Sequence, residues 1–269
     1  MEPRRDVSAP PISPTAPSGF PRFFRFARYS VNSYKFFLAV GIYVGTLTTA
    51  ALAYAGGFSA LHIGLAAMTS ALAGLIGARF YHIVVHAHDY LGLGSRRALW
   101  DSTAGGLSVF GALLTFVPAS FAAAALVDIP AAVLWDFMGI GVLAGGFWIR
   151  LGCVFNGCCV GRETDAPIGV RLHDTQGVTR RRIPVQLLEM VGWILGLVAF
   201  LSAWPQAFRP GSYALGVLAW YGAVRFLLEP LREEPDVVFG RVRINQVVAG
   251  LIALGAGSAL IYERVWVPG

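Results

Sequence analysis

The chain has 269 residues, 56% of them hydrophobic and only 13% charged, with a net charge of +6. Soluble domains carry about 25% charged residues, so the composition excludes an ordinary soluble enzyme and points to an all-α integral membrane protein. The basic residues lie beside apolar runs, which assigns the positive charge to anionic lipid and not to nucleic acid.

Residues 1–30 read as a basic arm rich in Pro and Ser, carrying Arg4, Arg5, Arg22, Arg25 and Arg28. Such a segment lacks the apolar residues needed to fold alone. The apolar stretch after it is too long for a cleaved signal peptide and lacks a small-residue cleavage site. From 31 to 265 the sequence predicts one transmembrane domain of about seven helices, near 35–55, 59–83, 105–127, 130–149, 187–204, 213–229 and 244–262. Each run approaches the roughly 20 apolar residues a span needs. Gly and Ala are abundant inside the runs, as expected where helices pack through small residues. Trp100, Trp204, Trp220 and Trp266 near run ends suit an aromatic belt. Internal repeats, the best pointer to a transporter built from duplicated halves, are not visible.

Such a topology puts the arm and the loops after spans two, four and six on one side, together with 19 of the 21 Lys and Arg residues. Only Arg209 and Arg264 fall opposite. By charge alone the basic side faces the cytoplasm. Arginines that bind an anionic lipid bias that count in the same direction.

Polar residues break the apolar pattern in two places. The first runs Arg150-Leu151-Gly152-Cys153-Val154-Phe155-Asn156-Gly157-Cys158-Cys159-Val160-Gly161-Arg162. An arginine at a membrane helix end must snorkel, pair or meet an anionic ligand. The glycines would let backbone N–H groups approach a ligand closely. The second interruption carries Tyr221, Arg225, Glu229 and Arg232, spaced four, four and three residues apart and so on one helix face. This stripe is either a polar site facing the bundle interior or a structural Arg225–Glu229 pair closing a helix end.

Together, and in this order, the two stretches resemble the prolipoprotein diacylglyceryl transferase family. Arg150 to Arg162 is similar to its Gly-Arg-x-Gly-Asn/Cys-x-x-x-Gly-x-x-x-Gly-Arg signature, and Tyr221 to Arg232 to its Tyr-Gly-x-x-Arg-Phe-x-x-Glu-x-x-Arg. Pro184-Val185-Gln186-Leu187-Leu188-Glu189 looks like the family's His-Pro-x-Gln-Leu-Tyr-Glu. Gly77-Ala78-Arg79-Phe80-Tyr81, Gly105-Gly106-Leu107-Ser108 and Tyr34 fall in family order, so the resemblance covers about residues 30–262. It implies transfer of a diacylglyceryl group from phosphatidylglycerol to the lipobox cysteine in a prolipoprotein signal peptide, releasing glycerol phosphate. It further implies a multi-pass protein of the bacterial inner membrane whose polar site lies at one membrane face, on the outer side, with no cofactor and no metal.

Residue by residue, the resemblance assigns the chemistry to Arg150, Arg225, Glu229 and Tyr34. Asn156, Gly157, Gly161, Tyr221, Arg232, Arg79 and Gln186 are expected to hold the lipid. A phosphodiester calls for guanidinium forks that also stabilise charge growing on the departing phosphate. The nucleophile is the acceptor's own thiol. This chain departs from the family at Phe110, where the family's His-Gly-Gly-Leu has histidine, at Ile183 and Leu188 in the His-Pro-x-Gln-Leu-Tyr-Glu stretch, and at Cys153. A general base is therefore missing from its usual place, which leaves the arginine field or one of His82, His86, His88 and His173. The alternatives are a divergent lipid-binding relative without this activity, or a transporter of an anionic solute.

Cys153, Cys158 and Cys159 are the only cysteines. They read as soft residues lining a helix–loop junction, against a zinc site completed by His173 or a disulfide between neighbours. His82, His86 and His88 read as interfacial histidines. His62 and Asp136, inside spans, read as polar helix contacts.

Overall fold

The computed structural model describes residues 21–26, 29–88, 106–204, 209–233, 237–238 and 242–266. Most of the arm, Arg28, Asp89, Arg96, Arg97, Trp100 and Gly105 lie outside them. Seven helices among the described residues are long and apolar enough to cross a membrane. They are α1 (Ser33–Ala55), α2 (Ala60–Val85), α3 (Val109–Leu126), α4 (Ala131–Asn156), α5 (Val185–Ser202), α6 (Ser212–Leu228) and α7 (Ile244–Trp266). Three short antiparallel hairpins accompany them: β1 (Phe23–Phe26) with β2 (Tyr29–Asn32), β3 (Val170–His173) with β4 (Thr179–Arg182), and β5 (Val237–Val238) with β6 (Val242–Arg243).

Most helix ends fall within four residues of the sequence expectation. The exception is α4, which runs seven residues past 149 and takes in the first half of the first polar interruption, Arg150 to Asn156. Its end is set by Gly157, whose left-handed backbone (φ 75°) donates its N–H to the Cys153 carbonyl. Of the arm expected over 1–30, the described residues 21–26 and 29–30 are folded. Arg22 is buried and donates to the carbonyls of Asp174 (2.8 Å) and Asn156 (3.4 Å). Phe24 packs its ring on Phe36, Phe37 and Phe155. Asn32 then caps α1 by accepting from the Tyr34 N–H.

Helix α4 is the centre of the bundle, packed by α1, α5 and α6, while α3 leans mainly on α2 and α7 on α6. The α1–α4 contact is made by two Gly-x-x-x-Gly pairs. A Cβ on Gly41 would stand 2.7 Å from the Gly145 carbonyl oxygen, and one on Gly145 would stand 2.5 Å from that of Gly41. In lipid, where no hydrophobic effect joins helices, such close backbone approach supplies the attraction. Large apolar residues such as Leu61, Leu65, Ile76, Leu251 and Leu254 point outward. Asp136, buried inside α4, accepts from the N–H groups of Gly211 (2.7 Å) and Ala214 (2.8 Å) and so caps α6, the polar helix contact expected there.

Candidate active site

Helices α4, α5 and α6 each deliver charged side chains to one end of the bundle. Arg150 sits on the last turns of α4 and Glu189 on the second turn of α5. Arg225 lies on the last turn of α6. Pro230 cannot donate to a continuing helix, so α6 gives way to a single 3-10 turn, Glu229–Leu231, and Arg232 follows in extended backbone.

Glu189 gathers three guanidinium groups: Arg150 at 3.0 Å, Arg225 at 3.3 Å and Arg232 at 3.4 Å. Glu229 takes Arg225 at 2.8 Å and Arg232 at 3.9 Å. Both carboxylates are almost wholly buried, at 3% and 1% exposure, while the arginines keep some access to the outside. A lone buried carboxylate at a helix C-terminus would be doubly unfavourable, from desolvation and from the helix dipole. The paired arginines offset both. Three positive charges against two negative leave the cluster at +1. Glu189 Oε2 and Glu229 Oε2 face guanidinium groups without an aligned hydrogen bond.

Beside the cluster lies a narrow cleft lined by Arg150, Glu189, Trp193, Trp220, Tyr221 and Arg225. Trp220 is held by its indole N–H on the Gly192 carbonyl (2.9 Å), and Trp193 stacks on Tyr221 at 5.5 Å. The cleft joins an aromatic wall to a cationic floor.

Of the residues expected from sequence, the structure brings Arg150, Tyr221, Arg225, Glu229 and Arg232 together. Tyr34 adjoins them, packed on Gly152 and close to Arg150. Gln186 is buried and donates to the Cys158 carbonyl (2.8 Å), fixing the loop after α4. Asn156 accepts from the Asn32 side chain (3.3 Å), tying that loop to the N-terminal hairpin. The glycines, expected to open the backbone to a ligand, admit other parts of the protein instead. A Cβ on Gly157 would stand 2.6 Å from the Asp174 carbonyl oxygen, and one on Gly161 would stand 2.7 Å from Val185 Cγ2. Gly161 forms a bridge with Arg232, and the Arg162 N–H donates to the Leu231 carbonyl (2.9 Å), so the two polar motifs are laced together by backbone. Arg79 is buried at the α2–α3 junction and donates to the Gly106 carbonyl (3.1 Å). Phe110 opens α3 with its ring exposed.

Two residues of consequence were not expected as site residues. Glu189 is the only charged residue in the α5 run, a signal present in the sequence. Arg182 is buried, 3.2 Å from Asp174 and paired also with Glu233, which locks the β3–β4 hairpin to the segment after α6. Nothing in the local sequence marks it, because three arginines stand in a row there. His173, weighed as a zinc ligand and as a base, is buried in the same hairpin with Nε2 on the Phe155 carbonyl (3.2 Å). Burial holds its pKa below the ordinary value. His82 and His86 stack at 4.3 Å near the end of α2.

The family model for prolipoprotein diacylglyceryl transferase matches residues 21–262. A phosphatidylglycerol–prolipoprotein diacylglyceryl transferase from Mycobacterium tuberculosis is 29% identical over 206 residues, covering 68% of this chain but 43% of the relative. The namesake from Lactobacillus delbrueckii subsp. bulgaricus is 25% identical over 208 residues, covering 71% of this chain and 72% of the relative. The match thus spans less than half the length of the mycobacterial relatives. The family model's match includes every element that builds the charged cluster, and the chain belongs to the prolipoprotein diacylglyceryl transferase family.

Proposed function

We propose that the chain transfers a diacylglyceryl group from phosphatidylglycerol to the lipobox cysteine thiol of a prolipoprotein in the bacterial inner membrane. The observation that carries this reading is the net +1 cluster of Arg150, Arg225 and Arg232 over two buried glutamates, opening on an aromatic cleft. A phosphodiester carries one negative charge, which is the charge the cluster lacks. The names of the family and of its relatives supply the reaction type.

In the transfer, the acceptor thiolate attacks the glyceryl carbon next to the phosphodiester oxygen. The C–S bond forms as the C–O bond breaks, and the electron pair leaves with glycerol phosphate. Negative charge grows on the departing oxygen, and Arg150 and Arg225 are already oriented by Glu189 and Glu229 to meet it. Arg232 adds a third positive group, and Tyr34 and Tyr221 offer hydroxyls to head-group oxygens. Asn156, Gly157, Gly161 and Gln186 act here by fixing the loop that carries the site. The working face is the outer one, where lipoprotein precursors arrive. The arginines of the cluster owe their place to the substrate, so they do not report topology in the way loop charges do.

The test is purified protein in phosphatidylglycerol micelles with a fluorescent lipobox peptide, following thioether product and released glycerol phosphate. Arg150→Ala and Arg225→Ala should each lower turnover by about 100-fold or more. Unchanged turnover in either variant would refute the roles assigned. No product from a folded parent would refute the activity.

A further inference from the structure

The three cysteines meet in space. Their sulfurs all lie within 4.8 Å of one another, and all three are free thiols. Cys153 comes from the last turn of α4, and Cys158 and Cys159 from the loop after it, where a left-handed turn at Cys159 (φ 62°) reverses the chain. Arg150 Nη1 is 4.0 Å from Cys153 Sγ, and Arg232 lies against Cys159. Three converging thiols beside two arginines exceed what packing at a helix–loop junction requires.

Thiols select soft cations over magnesium or calcium. A structural zinc site closes with four protein ligands, whereas three leave a position for an exchangeable group. His173 is not the fourth here, because its ring engages the Phe155 carbonyl and stands outside the thiol group. Arg150 and Arg232 border the thiols, and the proposed function places the lipid phosphodiester at these arginines. The reaction also needs its acceptor thiol deprotonated, and Phe110 provides no base.

We propose that Cys153, Cys158 and Cys159 hold a zinc-class divalent cation whose fourth position takes the acceptor cysteine, an inference that rests on the transferase reading above. Coordination removes the proton of the acceptor S–H, which passes to water, and leaves a metal-bound thiolate. That sulfur then forms the C–S bond as the C–O bond breaks, with the electron pair leaving on glycerol phosphate. The thioether product is a weak ligand and departs.

The experiment takes the purified, reduced parent in detergent, strips it with a chelator and titrates it with Cd²⁺ and, separately, Co²⁺, following thiolate-to-metal charge-transfer absorption. One equivalent per chain should saturate the band, and Cys153→Ser and Cys158→Ser should each weaken it. Lipobox peptide should shift the Co²⁺ spectrum, and the same peptide with serine in place of cysteine should not. A parent without the band, or a band that persists when all three cysteines are serine, would overturn the site whether or not a given variant folds. A spectrum indifferent to the peptide thiol would overturn acceptor coordination. Undiminished transfer by the stripped parent would overturn the role of the cation and leave the transferase standing. Cation and peptide-thiol binding without any thioether, even with Zn²⁺ restored, would instead sink the transferase reading and leave the cation site.

Discussion

Glu189 decides how the three arginines of the site stand. It is buried, it touches all of them, and Glu229 shares only two. Its removal leaves three guanidinium groups facing one carboxylate, so Glu189→Ala should cost about 3 kcal/mol of stability, seen as a lower midpoint of thermal unfolding in micelles. Arg225→Lys should fail to restore transfer, because one ammonium cannot bridge Glu189 and Glu229 as a planar fork does. Wild-type turnover with lysine at this position would contradict that geometry. Asp136 provides the contrast. It caps α6 far from the cluster in sequence and function, so Asp136→Ala should cost about 1–2 kcal/mol while turnover per folded molecule holds.

The elements were largely legible in the sequence, since seven apolar runs gave seven helices with most ends within a turn. The end of α4 was not, because glycines and polar residues from Arg150 onward look like a loop. Helical backbone continues there because its neighbours are tightly placed: Gly152 admits Tyr34 and Phe37, and the helix ends only at the left-handed Gly157. The folding of residues 21–26 and 29–32 was hidden for a related reason, as Arg22 and Phe24 are held by partners more than a hundred residues away. The stripe Tyr221–Arg225–Glu229–Arg232 was legible from its spacing. Glu189 was present as a lone charge in an apolar run and went unused, while Arg182 carried no distinguishing local signal. Two predictions belong at this scale. Gly145→Ala forces a methyl against the Gly41 carbonyl and should destabilise the α1–α4 pair by about 1–3 kcal/mol, measured by thermal unfolding. His173 is held below its ordinary pKa of 6.5 by burial, so the unfolded hairpin binds the proton more readily. Stability from this group is present above 6.5 and is lost as pH falls through the folded value. Amide exchange protection across 170–182 should therefore drop on mild acidification, and His173→Asn should flatten that dependence.

For the whole molecule, the seven membrane-length helices among the described residues place the β1–β2 hairpin, the β3–β4 hairpin and the charged cluster on one face and the end of α7 on the other. Membrane-impermeant maleimide should label Thr179→Cys in intact cells more strongly than the parent, and equal labelling only after lysis would place the working face in the cytoplasm. On the proposed function, this face moves diacylglyceryl and nothing smaller or larger. It is tested most directly by intact mass of a lipobox peptide after incubation with the protein and a phosphatidylglycerol of defined acyl chains. The expected result is a mass gain equal to that lipid's diacylglyceryl group, carried on the cysteine sulfur and absent from the serine peptide. A folded parent that leaves the peptide mass unchanged, or adds only a single acyl chain, would contradict it.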